Sequence, residues 1–374
     1  ELEIEQISDE EAYPFITWVG EEVDEAYYKA VMGIEINPGL DKSDFKIVYS
    51  PQHGADNIPV RTCLKRLGYD IVPVLAQCAP DPDYTNTKSP NPEVDASYEL
   101  AIKLAKEVDA DVVAITDPDG DRLGVVAKHN GEYVLMSGNQ SAAVYLEYIL
   151  SQRKEKGTLP DNAVMYNTIV TSDLGELVAR NYGVDVEKTL TGFKFIGDKI
   201  RKYEKTHEKQ FIFGYEESYG CVVEDFVRDK DAVQAVLLAA ECGNYYKKQG
   251  KDLIDVLNEL YAKYGTFKES QIALAKAGAA GAARIKEMMD TLRQDKPTEI
   301  GGVKVVLSED YATSERSDGT TIDLPKSNVL KYYLEDGSWI AARPSGTEPK
   351  CKFYFSIKGK DAKDAADKTE VFHK

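Results

Sequence analysis

The amino-acid sequence predicts an α/β protein: two related α/β domains with mainly parallel mixed sheets, followed by a smaller α+β C-terminal domain. Three observations predict it. Short apolar runs alternate with stretches whose apolar residues recur at helical spacing, and the alternation runs twice before residue 265. Beyond residue 265 it stops, and strand-like runs follow one another around one helix. At 374 residues the chain is too long for one ordinary core, so two to three domains are expected.

The elements follow in order. Residues 1–40 read as a lead-in with one helix over 21–32. The first α/β domain, 41–136, opens with a strand at 45–49 and a helix at 58–67 that Gly68 ends. A strand at 70–75, a helix at 94–108 and a strand at 111–116 continue it. Asn130-Gly131 then marks a hairpin between strands at 123–128 and 132–136. The second domain, 137–264, repeats the scheme: helix 139–153, strand 163–170, helix 173–182, strand 184–190, helix 195–205, strand 210–214, then helices at 231–248 and 253–264. A linker is expected near 263–268. In the third domain, 265–374, an Ala/Gly-rich stretch at 273–284 leads into a helix through Arg293, and strands follow at 303–307, 329–334, 339–342 and 353–357.

Composition narrows the function. A hydrophobic fraction of 43% with 23 tyrosines belongs to a folded protein rather than a disordered one. A net charge of −18 argues against nucleic acid and anionic membranes as partners, though local basic loops can still hold a phosphorylated ligand. No apolar run approaches a membrane span. Five widely spaced cysteines without a Cys-x-x-Cys pair read as free thiols in a reducing cytoplasm.

Three loops carry the chemistry. Asp117-Pro118-Asp119-Gly120-Asp121-Arg122 releases three carboxylates directly after the apolar run 112–115. Hard oxygen ligands without His or Cys favour Mg²⁺ or Ca²⁺ over zinc. An EF-hand is disfavoured, because Arg122 and Lys128 occupy the places where that loop needs Gly and Glu. Gly214-Tyr215-Glu216-Glu217-Ser218-Tyr219-Gly220 follows the apolar run 211–213, and Arg343-Pro344-Ser345-Gly346-Thr347-Glu348-Pro349-Lys350 follows 339–342. An arginine fork, hydroxyls and a glycine-opened backbone suit a phosphate.

In this order and spacing the three loops resemble those of the α-D-phosphohexomutases, the phosphoglucomutase/phosphomannomutase family. Thr191-Gly192-Phe193-Lys194 and Pro51-Gln52-His53-Gly54 are similar to further segments of that family. The Gly-Tyr-Glu-Glu-Ser-Tyr-Gly form looks most like its bacterial phosphoglucomutase branch. The resemblance implies interconversion of glucose 1-phosphate and glucose 6-phosphate through glucose 1,6-bisphosphate and a phosphoserine. It implies Mg²⁺ on Asp117, Asp119 and Asp121, with Arg122 and Lys194 catalytic. Glu216 and Ser218 would bind the sugar. Arg343, Ser345, Gly346, Thr347 and Lys350 would clamp the phosphate. His53 reads as a packed loop histidine.

The family's Thr-Ala-Ser-His-Asn-Pro-like serine loop has no counterpart in these residues. The chain is therefore expected to be a fragment without the first domain, inactive alone as a mutase. Two other readings share the motifs: a phosphomannomutase or related mutase, and a non-catalytic phosphosugar-binding module.

Overall fold

A computed structural model describes residues 6–275, 278–345 and 349–373. The first sheet has the order β2-β1-β3-β4-β5, from β1 (Lys46–Ser50), β2 (Asp70–Pro73), β3 (Val112–Thr116), β4 (Leu123–His129) and β5 (Glu132–Met136). The first three strands run parallel, and β4 and β5 close the sheet as an antiparallel hairpin. The second sheet has the order β7-β6-β8-β9, from β6 (Ala163–Thr168), β7 (Asp185–Thr189), β8 (Gln210–Tyr215) and the short β9 (Cys221–Val222). Here too three parallel strands carry one antiparallel edge.

Both sheets are buried on both faces, which explains their continuous apolar runs. In β1 and β3, Ile47, Tyr49, Val112 and Ala114 point into the large core, whereas Val48, Val113 and Ile115 meet Ala101 and Ala105 of the helix Glu99–Val108. In β6, Met165 joins the large core, and Val164 and Tyr166 pack on Ile196 and Ile200 of the helix Phe193–Thr206. The large core is thus shared between the two sheets. Helix Ala232–Lys247 is apolar almost all round because both domains cover it.

The third sheet is antiparallel in the order β10-β16-β15-β14-β12-β11, with β13 (Glu315–Arg316) on β12. Its strands are β10 (Thr266–Ala275), β11 (Glu299–Ile300), β12 (Val303–Asp310), β14 (Leu330–Leu334), β15 (Trp339–Pro344) and β16 (Lys350–Gly359). Leu330, Tyr332, Ala342, Cys351 and Phe353 pack with Met289 of the helix Gly278–Gln294, while Leu334, Ile340, Phe355 and Ile357 pack with Phe372 of the helix Ala362–Phe372. The opposite face carries Lys331, Tyr333, Trp339, Ala341, Arg343 and Tyr354, and part of it meets Ile169, Val170 and Leu190 of the second domain.

Several local expectations are corrected. Residues 266–275 form a ten-residue strand, where an interdomain linker and an Ala/Gly-rich lead-in were expected. A second helix, Ala362–Phe372, joins the C-terminal unit, capped by Asp361. The expected helix at 94–108 begins as a 3₁₀ turn, Asp95–Tyr98, before Glu99–Val108. The strand expected at 163–170 ends at Thr168, where hydroxyl hydrogen bonds turn the chain.

Candidate active site

The acidic loop leaves the C-terminal end of β3. Asp117 organises it: its Oδ1 accepts the N–H groups of Asp121 (3.0 Å) and Arg122 (2.9 Å). Asp117, Asp119 and Asp121 each offer an oxygen, all within 4.8 Å of one another. Burial, reinforced by Asp121 and Asp119, raises the Asp117 carboxyl to about 7. Burial also lifts Asp56 to about 7, with Asp231 and Asp117 adding to it, and one Asp56 oxygen lacks a hydrogen-bond partner. So much converging negative charge favours a cation, and an all-carboxylate donor set fits a hard divalent one.

Cations already border the loop. Lys230 places Nζ 3.0 Å from Asp121 Oδ2. Arg122 lays Nε 3.6 Å from Asp117 and 3.5 Å from Asp121, and donates through Nη1 to Glu93 (2.9 Å). Glu93 also accepts from Gln271 of the C-terminal sheet (3.2 Å). The Pro51-Gln52-His53-Gly54 segment supports the loop from beneath. Ala55 N–H donates to Pro118 O (3.0 Å), and a Cβ on Gly54 would stand 2.5 Å from Pro118 Cα. His53 is buried with Nδ1 on Ala79 O (2.7 Å), a packed loop histidine as expected.

The two glutamates of the second loop divide their roles. Glu216 is buried and accepts the Gly192 N–H (2.7 Å). Glu217 accepts the Thr168 hydroxyl (3.0 Å). Burial pushes both carboxyls upward, and the nearby Arg343 charge pulls Glu217 back. Glu217 and Ser218 line a cavity of about 280 Å³ where the three domains meet, with Glu93, Gln271, Lys352 and Tyr354. Tyr219, held at φ 72°, accepts Leu123 N–H (2.9 Å) and so ties this loop to the acidic one.

Arg343 is the penultimate residue of β15, on the face that carries Tyr354, with Nη1 3.4 Å from the Tyr354 hydroxyl. Ser345 N–H donates to Lys350 O (2.7 Å), where β16 begins. Ser345 lines a different cavity, about 580 Å³, with Lys286, Arg293 and Pro344. Gly346 and Thr347 lie outside the described residues. Lys194 sits in the first turn of its helix, not before it. It is exposed and lines a cleft of about 800 Å³ with Asp56, Gly120, Lys230 and Asp231.

Three profiles of one family match in sequence: phosphoglucomutase/phosphomannomutase α/β/α domain II over residues 25–131, α/β/α domain III over 137–264, and the C-terminal domain over 277–371. The chain belongs to the phosphoglucomutase/phosphomannomutase family. A phosphoglucomutase of Staphylococcus epidermidis is 38% identical over 346 residues, which are 91% of this chain and 62% of that protein. One from Staphylococcus haemolyticus is 38% identical over 85% of this chain and 58% of its own length. The chain thus spans about three fifths of these relatives. Among solved structures, the phosphoprotein parafusin (phosphoglucomutase) from Paramecium in an open form shares the fold, with TM-score 0.67 and 18% identity over 94% of this chain and 63% of that one. An Aspergillus fumigatus N-acetylphosphoglucosamine mutase variant in complex with glucose 1,6-bisphosphate also shares it, with TM-score 0.54 and 15% identity over 95% and 65%.

Glu93, Lys230 and Gln271, which border the acidic loop or its arginine, and Glu217, which lines the cavity between the domains, are residues that sequence reasoning passed over. Lys230 had a visible signal, the triplet Asp229-Lys230-Asp231 directly before a buried helix. A Cβ on Gly138 would stand 2.6 Å from Glu217 O and 2.8 Å from Tyr219 N. Gly138→Ala should therefore displace residues 217–219 and cost about 1–3 kcal/mol of stability, checked by urea unfolding. An unchanged midpoint would show that the loop yields freely.

Proposed function

We propose that this chain carries the metal, sugar and distal-phosphate elements of a phosphohexomutase that interconverts glucose 1-phosphate and glucose 6-phosphate through glucose 1,6-bisphosphate. One set of contacts carries the reading: Lys230 of the second domain lies 3.0 Å from Asp121 of the acidic loop, Gln271 of the C-terminal sheet donates to Glu93, which also accepts from Arg122, and the Arg343 charge acts on Glu217. The glucose assignment draws on the names of the staphylococcal relatives, and the bisphosphate on the ligand of the Aspergillus neighbour.

The three aspartates would hold Mg²⁺, which when bound neutralises phosphoryl oxygens. Lys230 and Arg122 then balance the remaining negative charge beside the transferring group. Lys194, exposed on the cleft that Asp56, Gly120 and Lys230 also line, is assigned to proton movement at the sugar hydroxyl. Glu216 and Ser218 are assigned to the sugar hydroxyls. Glu216 also sets the Gly192 turn that begins the Lys194 helix. Glu217, held by Thr168, is placed to receive a further hydroxyl. Arg343, with Ser345, Gly346, Thr347 and Lys350, is assigned to the phosphate that does not react. Ser218 and Ser345 belong to substrate-binding loops, so neither is given the role of phosphoserine donor. The five buried, free cysteines support a reducing, cytoplasmic setting.

The test is a coupled glucose 6-phosphate assay, primed with the bisphosphate, on the full gene product that includes these residues. Turnover of glucose 1-phosphate supports the reading. Turnover of mannose 1-phosphate alone would move the substrate. No turnover, with no binding of either sugar phosphate, would sink it.

A further inference from the structure

Lys331 lies in the middle of β14 and is fully buried. Its place in the strand follows from alternation. Leu330, Tyr332 and Leu334 face the C-terminal helices, so Lys331 and Tyr333 face the second domain. Its Nζ crosses the interface and donates to the backbone carbonyl of Ile169 at 2.7 Å. The ammonium sits 3.9 Å from the centre of the Trp339 ring and 4.7 Å from that of Tyr333. Among the described residues no carboxylate lies within ion-pair distance of it. Asp173, Glu176 and Glu309 stand farther off and pull its pKa upward, against burial and Lys188, which together bring it down to about 7.

A buried lysine held by one carbonyl and two aromatic faces is costly to keep, and an apolar residue of the same length would usually fit as well or better. Its one directional contact is with the loop at residues 168–172. That loop holds Glu217: Thr168 donates to Glu217 at 3.0 Å, Thr171 lies 3.4 Å from it, and the two hydroxyls are 2.9 Å apart. On the other side, Lys331 is directly opposite Ala341 in β15, the strand that carries Arg343 near its end. One ammonium thus links the strand presenting Arg343 to the loop presenting Glu217.

We propose that Lys331 is a positioning residue that fixes the distance between the phosphate-binding arginine of the C-terminal sheet and the sugar-binding loop of the second domain. The proposal rests on the function proposed above. Its consequence is selective. A ligand that uses both domains needs that distance preset, whereas a ligand of one domain does not. Mg²⁺ at the aspartates and inorganic phosphate at the arginine loop are one-domain ligands. Glucose 1,6-bisphosphate is a two-domain ligand.

The test compares the unaltered chain with Lys331→Met, which keeps length and removes the donor. Calorimetric titration should show about a tenfold loss of affinity for glucose 1,6-bisphosphate, from lost preorganisation, with Mg²⁺ and inorganic phosphate bound as before. Hydrogen exchange gives a readout independent of any ligand. The amides of Val170 and Thr171, now bonded to Thr168, should exchange faster in the variant, while those of β6 and β15 do not change. Equal bisphosphate affinity in both proteins, or equal exchange at Val170 and Thr171, would overturn the proposal. Weakening of all three ligands together would mean general loss of structure and would also overturn it. If the unaltered chain binds no bisphosphate, the proposed function fails at that point, and only the affinity comparison falls with it. The exchange result would then still decide whether Lys331 holds the two domains together.

Discussion

An Asp119→Asn chain should bind Mg²⁺ at least about tenfold more weakly than the unaltered chain, because one of three hard anionic ligands becomes neutral. On the proposed function, the full gene product bearing the change should lose most of its turnover of glucose 1-phosphate. Asp119 is the right member of the trio to alter. Asp117 also holds the turn through the amides of Asp121 and Arg122, and Asp121 is paired with Lys230. Changing either would disturb the protein as well as the ion. Asp119 is exposed, and the amides of the turn are held by Asp117, so its replacement removes charge and leaves the fold. Loss of a carboxylate also relieves repulsion on Asp56 and Asp117, so the metal-free variant should be no less stable than the unaltered chain. Titration calorimetry and thermal unfolding check the two halves. Equal Mg²⁺ affinity would remove the ion from this loop.

Which parts of this arrangement could be read in advance follows from the range of the forces involved. The strands of the first two sheets were legible, because burial on both faces writes a short apolar run directly into the sequence, as in Val112–Thr116. The gathering of three carboxylates was legible for a related reason: Asp117, Asp119 and Asp121 follow a buried strand at alternate positions and leave its end together. Strand Thr266–Ala275 was not. Its residues are largely exposed past Phe267, and it exists through ten-residue pairing with Lys350–Gly359, about eighty positions away in the chain. The network of Arg122, Glu93 and Gln271 was hidden likewise. Glu93 and Gln271 are 178 residues apart, and no periodicity relates them. Lys331 shows the limit most clearly. A lysine at an inward strand position looks like an error of pattern until the carbonyl of Ile169 is seen across the interface.

Arg343→Ala should weaken binding of glucose 1,6-bisphosphate by roughly ten- to a hundredfold, since a charge-assisted contact from a guanidinium is worth about 1.5–3 kcal/mol. Two effects act in the same direction. The first is loss of the planar donor fork at the phosphate. The second falls on Glu217, whose carboxyl burial already pushes upward and which Arg343 partly restrains. Without that charge Glu217 takes up a proton more readily and accepts a sugar hydroxyl less well. Arg343→Lys separates the two. Lysine restores the charge near Glu217 but not the bidentate geometry, so it should recover part of the affinity and not all of it. In the full gene product the alanine variant should raise KM more than it lowers kcat for glucose 1-phosphate, because the phosphate that does not react contributes binding used to orient the sugar. Calorimetry on the chain and kinetics on the full protein read the same contact in two ways. Unchanged affinity together with unchanged kcat/KM would make Arg343 a structural partner of Tyr354 and leave the phosphate to other residues.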